Sequence, residues 1–382
     1  MKSRTLRCVA LLFSAALVLP ACTFTDPTVS SSSGTAGLPA AELEEFAQRA
    51  LEQGAPAFVL QVRNGDQQII RAHGVKDLDS KEAAEATDRL WITGAGTPMV
   101  AVPVLKLVEE GRVALDAPIT GYLPEFATIF PAWQGTTVRE LLGSRTGLPD
   151  YFPRLATSMP AEQLQTTALS YEQRLRIAAD TGLPRPPAVD RVLWSATDWE
   201  VLAWMLERIH GRPLAEVLDT DVFGPAGMTN TMVASPGQPS EPMLHGYALS
   251  AGTRLDFTRV DIFAGSGDAG IISTVEDVST FFKALASGLL LGDEMKNEML
   301  KGSQYQLGGL QTKDGICPGR QHVLFAGGGG PYSIVSVSSL DGRQQAAAAM
   351  ALPPMDLDTG EVPLLVAQIE DVVGSTAGAM CS

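Results

Sequence analysis

Three hydroxyl side chains, those of Thr93, Thr97 and Ser195, are the residues of this 382-residue chain to weigh as nucleophiles. Nucleophilic catalysis needs such a hydroxyl beside a general base. A Ser-x-x-Lys pair would place both groups on one face of a helix, and no position in the sequence has that spacing. We therefore interpret Thr93 and Thr97 as ordinary helix-start residues and Ser195 as a loop or N-cap hydroxyl.

Metal-ligating residue types are present but scattered. The sequence has neither a Cys-x-x-Cys motif nor a cluster of cysteine and histidine, which are the usual signals of a metal site. We expect no metal and no cofactor. The four histidines, interpreted as structural or exposed residues, are His73, His210, His245 and His322.

Strand patterns at both ends of the chain surround a helical middle. Asn64-Gly65 and Asp341-Gly342 each separate two strand-like runs, which is a strong hairpin signal. Helical spacing prevails between residues 98 and 218 and returns at 274–286 and 363–373. The pattern predicts an α+β fold in which one antiparallel sheet is built from both chain ends, is flanked by helices and surrounds an α-rich middle region.

The N-terminus is typical of an export signal. A basic start is followed by an apolar run at 9–19, too short for an ordinary membrane-spanning helix, and by Leu19-Pro20-Ala21-Cys22, which resembles a bacterial lipobox. We expect Cys22 to carry lipid, including palmitate, and to anchor the chain at the extracytoplasmic face of a bacterial cell membrane. Plain secretion and a retained membrane helix are the alternatives.

The amino-acid composition separates a polar segment after Cys22 from the predicted folded domain. A polar Ser/Thr/Gly-rich stretch without apolar periodicity follows Cys22 and predicts a flexible tether. The predicted organisation is a signal peptide at 1–21, a tether at 22–38, a folded domain at 39–376 and a tail at 377–382. Within the domain, 39–90 and 304–376 form the sheet part, and 91–303 the mainly helical part.

Charge and cysteine content restrict the partners and the compartment. The net charge of −15 disfavours binding to nucleic acid and to anionic lipid headgroups. Only Cys317 and Cys381 lie in the predicted folded part, and in an exported protein such thiols are expected to pair in a disulfide. Two separate thiols are the alternative.

Four landmarks in the same order resemble those of the serine penicillin-recognising hydrolases, the family of class C β-lactamases, D-alanyl-D-alanine carboxypeptidases and related esterases. The resemblance covers nearly all of residues 40–375 and implies the β-lactamase/transpeptidase-like fold and acyl-transfer chemistry. The landmarks are Gly111-x-x-x-Leu115-Asp116-x-Pro118, Thr146-Gly147-Leu148-Pro149-Asp150-Tyr151, Phe223-Gly224-Pro225-Ala226-Gly227-Met228 and Gly270-Ile271-Ile272-Ser273-Thr274.

The residues that the family uses for chemistry are replaced at each position to which the resemblance assigns them. Counting back from the helix end at 107–111, the family's serine falls on Gly94 and its lysine on Thr97. Trp194 and Ala196 stand where the family has tyrosine and asparagine, and Ala326 stands where its third motif opens with lysine or histidine. Glycine and alanine have no reactive group, and threonine cannot accept a proton near neutral pH.

These replacements predict a surface-tethered pseudo-enzyme that keeps a cleft for cell-wall peptide or a protein partner. The helix that begins near Thr97 could hold a carboxylate through exposed N–H groups. The glycines at 327–330 allow either close approach of a peptide to a strand edge or a flexible turn. The candidate cleft residues are Gly94, Thr97, Trp194, Ser195, Gly327 and Gly328.

Two other functions remain open at this stage. One is an active serine hydrolase, acting as a carboxypeptidase, β-lactamase or esterase, with a rearranged site. The other is a structural or interaction lipoprotein with a closed cleft. An open pocket between Gly94, Trp194 and Ala326 would favour ligand binding, whereas a filled one would favour interaction through another face.

Overall fold

The computed structural model describes residues 37–186, 191–238, 241–250, 252–300, 307–357 and 363–381. The predicted signal peptide, Cys22 and the tether as far as residue 36 lie outside these residues. Within the described ranges, no helix combines the length and the apolar character needed to cross a membrane.

Twelve strands lie in the described residues. They are β1 (Ala57–Asn64), β2 (Gln67–Gly74), β3 (Leu90–Trp91), β4 (Met232–Val233), β5 (Tyr247–Ser250), β6 (Thr253–Asp256), β7 (Ile271–Ser273), β8 (Gln311–Cys317), β9 (Arg320–Gly329), β10 (Tyr332–Ser339), β11 (Gln344–Ala351) and β12 (Met355–Asp356).

Thirteen α-helices connect or cover these strands in the same ranges. They are α1 (Ala41–Glu52), α2 (Thr97–Glu109), α3 (Glu125–Ile129), α4 (Val138–Leu142), α5 (Tyr151–Ser158), α6 (Ala161–Thr166), α7 (Tyr171–Ala179), α8 (Ala196–His210), α9 (Leu214–Leu218), α10 (Gly224–Ala226), α11 (Val275–Ala286), α12 (Asp293–Leu300) and α13 (Leu365–Gly378).

The main sheet has six antiparallel strands in the order β2-β1-β11-β10-β9-β8, so both chain ends contribute to it. The predicted α+β fold and its antiparallel sheet are thereby confirmed. Two small three-stranded sheets, β12-β5-β6 and β3-β7-β4, lie partly within the mainly helical region.

The hairpin between β1 and β2 shows how local sequence sets the register. Asn64 pairs with Gln67, so the turn consists of Gly65 and Asp66, one residue later than the Asn64-Gly65 signal suggests. Gly65 has a φ of +63°, a left-handed conformation that a glycine adopts without steric cost. Tight turns of this kind match the twist of the flanking strands and therefore fix which side chains share a face.

The main sheet separates two hydrophobic cores because successive side chains of a strand point to opposite faces. In β11, Ala346, Ala348 and Met350 belong to the core that α1 and α13 cover. Ala347 and Ala349 belong to the larger core on the other face, which includes the helical region. Small residues in this strand let helices pack close to both faces.

Both predicted ends of the domain need correction. Leu38, assigned to the tether, packs against the core beside α1. At the other end, α13 continues to Gly378, past the residue predicted as its end, and Met380 is buried. Residues 377–381 are therefore part of the fold, and Cys381 forms a disulfide with Cys317 across a Cα–Cα distance of 5.4 Å.

Candidate functional site

The chain approaches the degenerate nucleophile position through a tight 3₁₀ turn, Thr93–Gly96, which follows β3 and leads directly into α2. Pro98 occupies the first turn of α2, where its lack of an N–H group and its fixed φ favour helix initiation. Thr93 has a φ of +46°, which is unusual and costly for a β-branched residue. The strained residue directly precedes Gly94, the position at which the family's serine is replaced.

Gly94 and Trp194 meet in the space that a nucleophilic side chain would need. A Cβ atom at position 94 would lie 3.1 Å from Cζ2 of Trp194. That separation is tighter than ordinary van der Waals contact, so a side chain at this position would require the indole to move. Trp194 nevertheless remains 43% exposed and therefore lines the cleft without closing it.

Thr97 does not belong to the cleft, contrary to the sequence prediction. It is fully buried, and its hydroxyl lies 2.9 Å from the carbonyl oxygen of Gly94 and 3.2 Å from that of Gly308. The residues of the first turn of α2, 97–100, are all buried. The expectation that exposed N–H groups of this turn hold a carboxylate is therefore wrong as well.

Ser195 is the N-cap of α8 and accepts a hydrogen bond from the N–H of Thr197 at 3.3 Å. It is only 1% exposed and does not line the cleft, so the candidate cleft role is wrong and the N-cap interpretation is confirmed. Asp150 supports the same helix start. Its carboxylate accepts hydrogen bonds from the N–H groups of Phe152 in α5 and Ala196 in α8, at 2.9 and 3.4 Å.

The glycine-rich segment forms a regular strand, with a turn only at its end. Gly327 and Gly329 pair with Ile334 and Tyr332 of β10, and Gly330 begins the turn with a φ of +57°. On the other side of β9, pairing with β8 reaches only Leu324, so the glycine-rich part runs along the cleft. Of the two open interpretations, the structure therefore favours the strand edge.

We predict that Gly327→Ala lowers the free energy of unfolding by about 1–3 kcal/mol and disturbs the cleft, because overpacking forces the backbone to move. A Cβ atom there would lie 2.4 Å from Cβ of Ala95 and 2.5 Å from the carbonyl oxygen of Ile92. Denaturant unfolding measures the change. Gly328→Ala is the matched control, since its nearest neighbour would be the carbonyl oxygen of Tyr332 at 3.8 Å. Equal stability of the two variants would contradict the prediction.

His322 lies away from the cleft and cannot replace the missing third-motif residue. It is buried on β9, with Nε2 3.6 Å from Sγ of Cys317. Burial lowers the pKa of this imidazole. Its position beside the disulfide agrees with the structural role expected from the sequence.

Four of the five degenerate positions surround an open cavity of about 520 Å³. Gly94, Trp194, Ala196 and Ala326 all line it, together with Gly327 and Gly328. Other residues also line the cavity: Thr93, Asp150, Tyr151, Phe152, Val192, Phe263, Asp268, Ala269, Gly309, Gln311 and Gly329. The volume is within the ordinary range for small-molecule sites.

Asp268 is an acidic cleft residue that the sequence reasoning missed. Burial, reinforced by the charges of Glu200 and Asp150, raises the pKa of its carboxyl group well above the usual range. Burial likewise raises the pKa of Asp150, although its two N–H donors oppose the shift. The only signal in the sequence is an acidic residue in the otherwise small-residue run Gly265-Ser266-Gly267-Asp268-Ala269-Gly270.

A buried polar network holds the Asp268 loop in place. The Glu200 carboxylate accepts hydrogen bonds from Tyr151, from Ser266 and from the N–H of Gly267. Nη1 of Arg174 lies 3.3 Å from Glu200, and Nη2 donates to two backbone carbonyls of the same loop. These contacts explain how an acidic side chain comes to lie beside Gly94.

The fold and the cleft together define a serine penicillin-recognising hydrolase scaffold. The chain belongs to the β-lactamase family, whose model matches residues 42–316.

Among its relatives, a putative penicillin-binding protein, PbpX, of Bacillus subtilis is 22% identical over 278 residues, which cover 70% of this chain and 66% of that protein. Esterase EstB of Burkholderia gladioli is 30% identical over 214 residues, which cover 53% of each chain. The chain thus spans about two thirds or less of the length of these curated relatives.

A solved structure, the D-amino acid amidase from Ochrobactrum anthropi SV3 in complex with L-phenylalanine amide, superimposes with a TM-score of 0.74 at 20% identity. The match covers 89% of this chain and 97% of the amidase. At 20% sequence identity, this structural similarity establishes the fold alone.

Proposed function

We propose that this chain is a catalytically inactive member of the β-lactamase family whose cleft binds a ligand without turnover. The observation that carries the proposal is the geometry at position 94. Glycine stands at the nucleophile position, Trp194 occupies the space beside it, and a cavity of about 520 Å³ stays open.

Loss of the nucleophile is sufficient to abolish acyl transfer. Removing the serine of an unrelated serine protease costs a factor on the order of 10⁶ in rate, and further losses in the same catalytic unit add little. No lysine, arginine or histidine is among the described residues that line the cleft. The Tyr151 hydroxyl donates to Glu200, and burial raises the pKa of this phenol well above its usual range, so it is a poor base.

The open cavity supports ligand binding over a closed, purely structural role. Cell-wall peptide is the ligand that the family resemblance suggests, and one relative is named as a putative penicillin-binding protein. The cleft-facing part of β9 is suited to an extended peptide, because main-chain hydrogen bonding to an exposed strand edge is a common mode of peptide recognition.

An active hydrolase is the second candidate, and one observation favours it. Thr93 is the aliphatic hydroxyl among the described cleft-lining residues, and its strained backbone conformation is of the kind often found at functional sites. One relative is named as an esterase and one structural neighbour as an amidase, and both names support this candidate. A rearranged hydrolase would therefore use Thr93, since Thr97 and Ser195 are buried outside the cleft.

Intact mass spectrometry tests the proposal. The chain from residue 23 is incubated with a β-lactam, a chromogenic ester and a D-Ala-D-Ala peptide, and both protein mass and product are followed. We expect an unmodified mass and no product, with thermal stabilisation by the peptide, since ligands that bind only the folded state raise its stability. A stable acyl adduct, or product formation that Thr93→Val abolishes, would overturn the proposed inactivity.

We further propose that Cys22 carries the lipid that holds the chain at the extracytoplasmic membrane face. The support is the order of basic, apolar and small residues before it. Cells expressing the full chain and Cys22→Ser are fractionated after labelling with a palmitate analogue. We expect label and membrane association only with cysteine at position 22; equal labelling of both chains would contradict the anchor.

A further inference from the structure

We propose that the cleft recognises its ligand through a positively charged amino group, which binds between the Asp268 carboxyl group and the Trp194 indole. The inference deepens the proposed function, on which it rests, by naming the chemical class of the ligand. Asp268 lies outside the positions to which the family resemblance assigns acyl-transfer chemistry, and Trp194 occupies one of them with a side chain that cannot act as a base.

The carboxyl group of Asp268 has an unmet hydrogen-bonding capacity. Its Oδ1 atom is buried, and within the described part of the chain no donor reaches it. Burying a carboxyl oxygen without a hydrogen-bond partner costs free energy. Native structures seldom contain such an atom unless a ligand or an ion supplies the missing partner. Asp268 as a whole is half-buried and lines the cleft, so a small movement of the partly exposed Trp194 side chain would let a ligand supply the missing donor.

Asp268 and Trp194 converge on one place. The Oδ1 atom of Asp268 and the Cζ2 atom of Trp194 both lie within 4 Å of the point that a Cβ atom at Gly94 would occupy. The absence of a side chain at position 94 leaves room beside that point for a compact group. An ammonium group suits it, because it donates up to three hydrogen bonds and is attracted to an aromatic ring.

The composition of the wall favours a cation over an anion. Asp150 is the second carboxyl group in the cleft, and the described cleft-lining residues include no cationic side chain to neutralise either acid. A bound cation would also favour the ionised form of Asp268, whose pKa burial and neighbouring acids raise. An anionic ligand would find no cationic partner among the described cleft-lining residues, and either carboxyl group would repel it once ionised.

The cleft surface near Asp268 and Trp194 indicates that the ligand has an apolar part next to its amino group. The rings of Phe152 and Phe263, with centroids 5.6 Å apart, line both the cleft and an adjoining cavity of about 340 Å³. The adjoining cavity is lined mainly by apolar side chains, including Met159, Leu164 and Phe257. A ligand with an amino group and a hydrophobic substituent would therefore contact both.

Binding of three small probes of similar shape tests the inference. 2-Phenylethylamine is a cation, 2-phenylethanol is its neutral counterpart and phenylacetate is an anion. Their dissociation constants for the chain from residue 23 are measured by ligand-observed NMR at neutral pH. We expect the amine to bind at least about tenfold more tightly than the alcohol, as a hydrogen bond to a charged group implies, and phenylacetate to bind most weakly.

Asp268→Asn should remove the preference for the amine over the alcohol. The variant keeps the shape of the side chain, and its thermal midpoint verifies that it folds. Asp66→Asn, which makes the same charge change in the exposed β1–β2 turn, should keep the preference. Equal binding of the three probes, binding of none, or an undiminished preference in Asp268→Asn would overturn the inference.

The two proposals can fail separately. 2-Phenylethylamine has no hydrolysable bond, so its binding does not depend on catalysis. Acyl transfer in the mass experiment would overturn the proposed inactivity and leave amine recognition standing. Absence of amine selectivity would overturn the proposed ligand class but would not affect the proposed inactivity.

Discussion

Glu200→Gln should lower the free energy of unfolding by about 3–5 kcal/mol, because it leaves the Arg174 guanidinium buried without its opposite charge. Arg174 is 1% exposed and Glu200 is fully buried, so water cannot solvate the remaining charge. Burial lowers the pKa of Arg174, but Glu200, with smaller contributions from Tyr151 and Tyr171, more than offsets this, and the guanidinium stays charged. Chemical denaturation followed by far-ultraviolet circular dichroism measures the change.

Two further variants separate this effect from general damage. Glu172→Gln removes the partner of Arg176 in an exposed i, i+4 pair, and we expect it to cost no more than about 0.5 kcal/mol. Arg174→Met combined with Glu200→Leu removes both charges and should recover much of the stability, since buried pairs are often replaceable by apolar residues. A Glu200→Gln variant as stable as Glu172→Gln would refute the assigned role.

Loss of the Glu200 network should also weaken amine binding. Ser266 and Gly267, which bind Glu200, directly precede Asp268. Without these contacts the Asp268 carboxyl group is no longer held beside Gly94. Glu200 is therefore a positioning residue for the cleft.

Cys381→Ser should lower the free energy of unfolding by about 4 kcal/mol, the chain-entropy value for a loop of this size. The bond joins the chain after α13 to the end of β8 over a sequence separation of 64 residues. Without it the unfolded chain gains conformational freedom, and α13 is no longer tied at its C-terminal end. Denaturant unfolding without reductant compares the variant with the unaltered chain.

Reduction provides the control for this substitution. In excess reductant the unaltered chain should unfold at the same denaturant concentration as Cys381→Ser, because both then lack the cross-link. A persistent difference would mean that the serine itself, rather than the missing bond, causes the loss. No difference in the absence of reductant would contradict a stabilising disulfide.

The sequence by itself determined the elements and the degenerate positions. Asn64-Gly65 and Asp341-Gly342 identified two hairpins of the main sheet, because turn residues and strand periodicity are local properties. Ordered landmarks placed Gly94, Trp194 and Ala326 by counting along the chain, and the structure brings all three to one cavity. The predicted ends of helices and of the domain were less accurate, as the continuation of α13 to Gly378 illustrates.

Only the tertiary structure decided which side chains reach the cleft. Ser195 lies between two cleft residues in the sequence, and Thr97 lies three residues after Gly94, yet the directions of α2 and α8 bury both hydroxyls. Asp268 is distant in sequence from Gly94 and Trp194, and the buried network around Glu200 brings it beside them. Local patterns do not encode such long-range packing, which determines whether a carboxyl group ends in water, in a salt bridge or unpartnered at the wall of a cavity.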